Sequence, residues 1–167
     1  MRSPDSITAS SAVLDTNVVM SAIFFGGVPF DVLSTWHNGE FELVVSDAVM
    51  EEYREIAARM KAKFPSIEPE RWMRYIEEHA TVVPAVPLVA QVCEDADDDV
   101  FLACAVTANA KIVCSGDKHL LACNGWSGCG GFLPPEPPCD NTRYTAEVER
   151  LIKPHFTPCA EGQVLAY

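Results

Sequence analysis

Four acidic residues stand at the ends or edges of apolar segments spread along the chain: Asp15, Glu52, Asp99 and Asp117. Asp15 terminates the run Ala12-Val13-Leu14 and is followed by Thr16 and Asn17, an acid, a hydroxyl and an amide in succession. Asp117 closes Ser115-Gly116-Asp117 directly after the apolar stretch Ala110 to Cys114. An ionised carboxylate beside a core is costly unless it is solvated, paired or bound to a cation. Taken singly, each acid reads as a turn, cap or solvated residue. Taken together they read as a shared metal site, because open α/β sheets gather such residues at the carboxyl ends of their strands. Hard divalent cations with oxygen ligands match that donor set. No HExxH, P-loop or GxGxxG signature competes with it.

The elements that must position these acids follow from periodicity. Ala12 to Leu14 is apolar throughout, as in a parallel strand covered on both faces. Val18 to Phe25 continues as helix until Gly26-Gly27 and Pro29 interrupt it. Phe30, Leu33 and Trp36 mark a second helix to His37, closed by Asn38-Gly39. Phe41 to Val45 is the next strand, and Ser46 and Asp47 are natural N-caps for a helix Ala48 to Met60. On that helix Val49, Met50, Tyr53, Ile56, Ala57 and Met60 share one face. Glu52 lies at the edge of this face, whereas Glu51 and Glu55 point further toward solvent. Pro69 opens a helix Glu70 to Ala80, and Pro84 limits Thr81 to Val86 to an edge or irregular strand. Glu94, Asp95, Asp97, Asp98 and Asp99 precede Val100 to Val106, a helix apolar on every side. The helix dipole accounts for two or three of these acids but not five. Asp99 shares a stripe with Leu102, Ala103 and Val106, so it is the acid turned toward the interior. Ala110 to Cys114 is a further buried strand. Strand and helix alternate, which predicts an α/β domain with a mostly parallel sheet between helical layers.

Composition narrows the class. The chain has 167 residues, 49% of them hydrophobic, with no run near the roughly 18 apolar residues of a membrane span. The opening MRSPDSITAS lacks the apolar core of a secretory signal, so a cytoplasmic location is expected. Seven cysteines without a CxxC pair fit neither a disulfide framework nor a zinc ribbon, and Cys93, Cys104 and Cys114 read as small buried hydrophobes. The net charge of −12 argues against a uniformly basic nucleic-acid surface. Yet Arg54, Arg59, Lys61, Lys63, Arg71 and Arg74 supply half of the twelve Lys and Arg residues within one short stretch. That stretch is either a phosphate-binding surface, with Arg54 and Arg59 as its candidates, or a helix face balanced by Glu51, Glu55, Glu70 and Glu77.

Four blocks, AVLDTNVVMSAIFFGG, FELVVSDAVMEEYREI, DADDDVFLACAV and IVCSGDKHLL, resemble in order the conserved blocks of PIN-domain nucleases, most closely the toxin components of bacterial toxin–antitoxin systems. The resemblance runs from about Ala12 to Leu121. It implies a three-layer α/β/α fold and an acidic quartet at Asp15, Glu52, Asp99 and Asp117, with Thr16, Asn17, Asp95, Asp98 and Ser115 as supporting polar residues. It further implies Mg²⁺ or Mn²⁺ as cofactor, with Asp15 and Asp99 as direct ligands and Glu52 and Asp117 holding a second ion or orienting water. The implied reaction is metal-dependent hydrolysis of RNA phosphodiester bonds, and the implied partners are a cognate antitoxin and a second copy of the chain. Two other readings share the pattern: an inactive PIN-fold interaction module, and a phosphotransfer or phosphatase α/β domain built on clustered acids. The latter would want a DxD nucleophile or a partner Lys, which Asp15-Thr16-Asn17 does not offer.

The expected organisation is an N-terminal extension over 1–10, a PIN-like domain over 11–124 and a divergent, partly irregular tail over 125–167. After Leu121 the family pattern of a last strand and short helix is missing, and residues 125–167 carry six prolines and three cysteines. That shift reads as a divergent ending or one arising from a shifted reading frame, with one helical piece at Tyr144 to Ile152.

Overall fold

The structure is a computed structural model that describes residues 11–110 and 112–123. The expectations for the N-terminal extension and for the tail, including Tyr144 to Ile152, fall outside these residues. Four strands pair in parallel: β1 (Ser11–Leu14), β2 (Glu42–Val45), β3 (Thr81–Val82) and β4 (Ile112–Cys114). Their order is β3-β2-β1-β4. Every residue of β1 is buried, which explains why its sequence shows no alternation.

From β1 the chain enters α1 (Thr16–Phe25) and then α2 (Val28–His37). The break between them is Gly26-Gly27, at φ 73° and 69°, where a side chain would be strained. After β2, Ser46 caps α3 (Asp47–Lys63), its hydroxyl accepting from the Val49 amide at 3.3 Å. Val49, Met50, Tyr53 and Ala57 are the buried face, as the periodicity predicts. The fully buried Tyr53 donates its hydroxyl to the carbonyl of Leu14, fixing α3 against the end of β1. Next come α4 (Glu70–His79), which buries Met73 and Ile76, and the two-residue edge strand β3. Val83 makes one more ladder bond, to the Val45 carbonyl at 2.8 Å, before Pro84 ends the pairing.

A 3-10 turn over Ala96–Asp98 leads into α5 (Asp99–Ala108). Its Phe101 to Ala105 segment is buried on successive positions, and Asn109 ends it in the left-handed conformation at φ 52°. β4 follows, and then the short α6 (Lys118–Ala122). The helices flank the parallel sheet in the expected three-layer arrangement; α1 packs on α2 and α3, and α5 lies against β1, β2 and β4. Boundaries shift modestly: α3 runs one turn further than expected, to Lys63, and β4 begins at Ile112. Among the described residues no single helix is long and apolar enough to cross a membrane.

The strand order locates the site. From β1 through β2 to β3 the sheet grows in one direction, and β4 then joins the opposite side of β1. The reversal lies between β1 and β4, the crevice where open α/β sheets bind their ligands. Asp15 follows β1, and Ser115 to Asp117 follow β4.

Candidate active site

Asp15 is 3% exposed, and its amide donates to the Cys114 carbonyl at 2.8 Å, carrying the β1–β4 pairing one residue past the strand. Its Oδ2 accepts from the hydroxyl of the buried Ser115 at 2.7 Å. The same hydroxyl accepts from the Asp117 amide at 2.8 Å. Asp117 Oδ1 in turn accepts from the His119 amide at 2.7 Å. One serine therefore sets the positions of both strand-end acids. Across the crevice, Thr16 in the first turn of α1 donates to Glu52 Oε1 at 2.6 Å. The edge position that the helical wheel assigned to Glu52 is thus directed at the residue next to Asp15. Asn17 is exposed on the first turn of α1.

Electrostatics connect these groups. Burial pushes the Asp15 carboxyl above its ordinary range, the Ser115 bond opposes this, and the charge of Asp117 adds to the rise. Glu52 is raised by burial against the pull of Thr16, with the charges of Asp15 and Asp97 contributing. Asp98 is pushed up to about 6, first by partial burial and then by Asp117, Asp15, Asp95 and Glu52. Its side chain makes no capping hydrogen bond at the start of α5.

Asp99 is bonded to backbone on both of its oxygens. Its Oδ2 accepts from the Val92 amide at 3.0 Å and its Oδ1 from the Cys93 amide at 2.8 Å. The side chain does face inward, as its stripe requires, but the interior at that point is the backbone of the incoming loop. Each oxygen accepts one backbone amide, and the neighbouring carboxyl on which the charges of Asp117, Asp15 and Glu52 act is that of Asp98. The helical stripe tells inside from outside and not which inside surface is met. The signal available in the sequence was the loop before the acids, whose amides need acceptors. Asp95 caps the 3-10 turn by accepting from the Asp97 amide at 3.0 Å, and the charge of Asp97 on Glu52 was not anticipated.

The basic stretch is largely neutralised. Arg54 donates from Nε and Nη2 to Glu77 Oε1 at 2.8 and 2.6 Å. Arg59 pairs with Glu55 at 3.7 Å, and Lys61 with Glu70 at 2.6 Å. The balanced helix face is what forms here. Among the described residues Lys63, Arg71 and Arg74 have no such acidic partner.

Residues 11–119 match the family model described as a PIN domain. The chain belongs to the PIN domain family. The matched PIN domain runs from the first residue of β1 into α6 and contains all the acids named above, so the chain carries a nuclease fold. No curated protein and no solved structure matches the chain significantly.

The donors suit a hard divalent cation. Asp15, Glu52, Asp98 and Asp117 offer only oxygen, and among the described residues none of them forms an ion pair with Lys, Arg or His. No three acid, imidazole or thiol side chains among the described residues stand close enough to enclose an ion. Mg²⁺ and Mn²⁺ do not require enclosure, since one or two carboxylates with several waters commonly hold them. Asp15, Glu52 and Asp98, each raised in part by the charge of a neighbouring acid, have the electrostatics of such an open site.

Proposed function

We propose that this PIN domain is a metal-dependent endoribonuclease, the toxin of a type II toxin–antitoxin pair. The observation that supports the reading is the gathering of Asp15, Asp117 and Glu52 at the β1–β4 switch point, where Ser115 joins Asp15 to Asp117 and Thr16 holds Glu52, with the charges of all three acting on Asp98. On this reading Asp15 and Asp117, joined through Ser115, hold Mg²⁺ or Mn²⁺ together with waters, and Glu52 and Asp98 orient coordinated water. When bound, the cation acidifies the attacking water and neutralises charge on the scissile phosphate during in-line displacement. The chain's own part is preorganisation. Ser115 fixes Asp15 relative to Asp117, Thr16 fixes the carboxylate of Glu52, and the two amides bonded to Asp99 anchor the start of α5, the turn that also carries Asp98.

Flanking RNA phosphates would be met by Lys63, Arg71 and Arg74. Arg54 and Arg59 can join them, because exposed ion pairs are worth only about 0–1 kcal/mol and exchange readily for phosphate. The −12 charge suits an antitoxin that presents basic side chains to the acidic crevice, and a homodimer in the cytoplasm is the assembly we assign.

The test is cleavage of labelled single-stranded and structured RNA by wild type, Asp15→Asn and Asp98→Asn prepared identically. Cleavage should require Mg²⁺ or Mn²⁺, stop with EDTA, and fall roughly 10²-fold or more in each variant. Equal cleavage by the variants would identify a contaminating enzyme, and no cleavage by wild type would favour the inactive module. Failure of the neighbouring gene product to co-purify or to neutralise toxicity would remove the toxin role and leave the nuclease.

A further inference from the structure

We propose that Cys93 and Cys123 are a reversible disulfide site that ties the approach to α5 to the C-terminal end of α6. Their sulfurs lie 3.0 Å apart across thirty positions of sequence. Cys93 is buried, whereas Cys123 is partly exposed and donates to the His119 carbonyl at 3.3 Å. Beside them Glu94 Oε2 and His119 Nδ1 meet at 2.8 Å, so the two segments are already held together by an independent polar contact. The sulfurs are already in contact and must close by only about 1 Å to reach the usual S–S length of roughly 2.05 Å. Burial of small apolar thiols explains Cys104 and Cys114, which have no sulfur neighbour among the described residues and whose thiols burial pushes up to about 11 and 12. It does not explain a partly exposed cysteine in contact with a buried one.

A small-molecule disulfide such as oxidised glutathione completes the reaction. The Cys123 thiolate, its proton given to water, attacks one glutathione sulfur, breaks that S–S bond and releases one glutathione thiolate. Cys93 then loses its proton and attacks Cys123 Sγ, expelling the second glutathione thiolate. The two protein thiols are oxidised by two electrons, the oxidant is reduced to two thiols, and the two protons end on those thiols. The new bond spans the segments that carry Asp98 and Asp99 on one side and Asp117 on the other. It does not depend on the nuclease reading, and no activity measurement enters its test.

The full chain and a variant with Cys129, Cys139 and Cys159 replaced by Ser are incubated with oxidised glutathione and mapped by non-reducing peptide mass spectrometry. Both should yield a Cys93–Cys123 cross-linked peptide that dithiothreitol removes. The oxidised variant should melt on the order of 5 °C or more above its reduced form, as expected for a closed loop of this length. Adding Cys123→Ser to that variant should abolish both the peptide and the shift. The proposal is overturned if the folded variant gives only glutathionylated or free Cys123, or if the cross-link forms without raising the melting temperature.

Discussion

Adjacent Asp98 and Asp99 are assigned opposite roles, and replacing each by Asn should move stability in opposite directions. Asp99 is a carboxylate with two backbone amides pointed at it, at 2.8 and 3.0 Å. Hydrogen bonds to a charged acceptor contribute about 1.5–3 kcal/mol each. Asn keeps one acceptor, now uncharged, and turns an NH₂ group toward the second amide. The expected loss is about 2–4 kcal/mol, or a fall in Tm of roughly 5–10 °C for a chain of this size. Asp98 has no such partner, and its carboxyl is lifted from 3.8 to about 6 by burial and like charges. Two pKa units correspond to about 3 kcal/mol, which solvent screening of this partly exposed group reduces to about 1 kcal/mol. Asp98→Asn should therefore raise the Tm of the metal-free protein by about 2–4 °C at neutral pH while weakening Mn²⁺ binding. Thermal melts in EDTA and calorimetric titration with Mn²⁺ on the three proteins provide the comparison. An Asp99→Asn protein that melts like wild type yet no longer binds Mn²⁺, beside an Asp98→Asn protein that binds normally, would refute the assignment.

The raised Asp98 carboxyl contributes stability that is present below its unfolded value near 4 and lost as pH rises through about 6. In EDTA, the Tm advantage of Asp98→Asn over wild type should accordingly grow from pH 4 to pH 7, and a constant difference would contradict this. Ser115→Ala removes a buried hydroxyl that serves both Asp15 and Asp117; urea unfolding should show a loss of about 1–3 kcal/mol, with Mn²⁺ affinity reduced as well. Tyr53→Phe should cost about 1–2 kcal/mol by the same measurement, because the hydroxyl it loses is fully buried against the Leu14 carbonyl. Joint replacement of Arg54 and Arg59 by Gln should change stability by less than about 1 kcal/mol, since both pairs are exposed. If these arginines reach RNA, the same change lowers the salt dependence of binding by up to about 2 in log–log slope.

Most of the architecture was legible because it depends on patterns carried within single segments. The unbroken apolar runs of β1 and β4, the cap at Ser46, the Gly26-Gly27 break and the edge strand cut short at Pro84 all lie where local chemistry puts them. Glu52 was legible too, since the edge of a buried helical face points in few directions. What escaped were contacts between segments distant in sequence. The two amide bonds of Asp99 turn on where the Val92–Cys93 backbone passes, and no periodicity within α5 encodes that. Glu77 was among the acids expected to balance the basic stretch, but that it meets Arg54 depends on α3 lying beside α4. Ser115 was expected only as an accompanying polar residue, yet its hydroxyl links the ends of β1 and β4.

That link has a consequence for timing. The bond from Ser115 to Asp15 joins residues 100 positions apart, and β1 sits between β2 and β4 in the finished sheet. During synthesis β1 and β2 can pair early, but the crevice has only one wall until β4 leaves the ribosome and docks. Pairings of such long separation form late, after the entropy of closing the loop has been met. At about 5–20 residues per second, synthesis leaves several seconds in which Asp15 and Glu52 exist without Asp98 and Asp117. For the ribonuclease proposed above, the nascent chain would carry half of its acids but no assembled site while its own messenger is still being read.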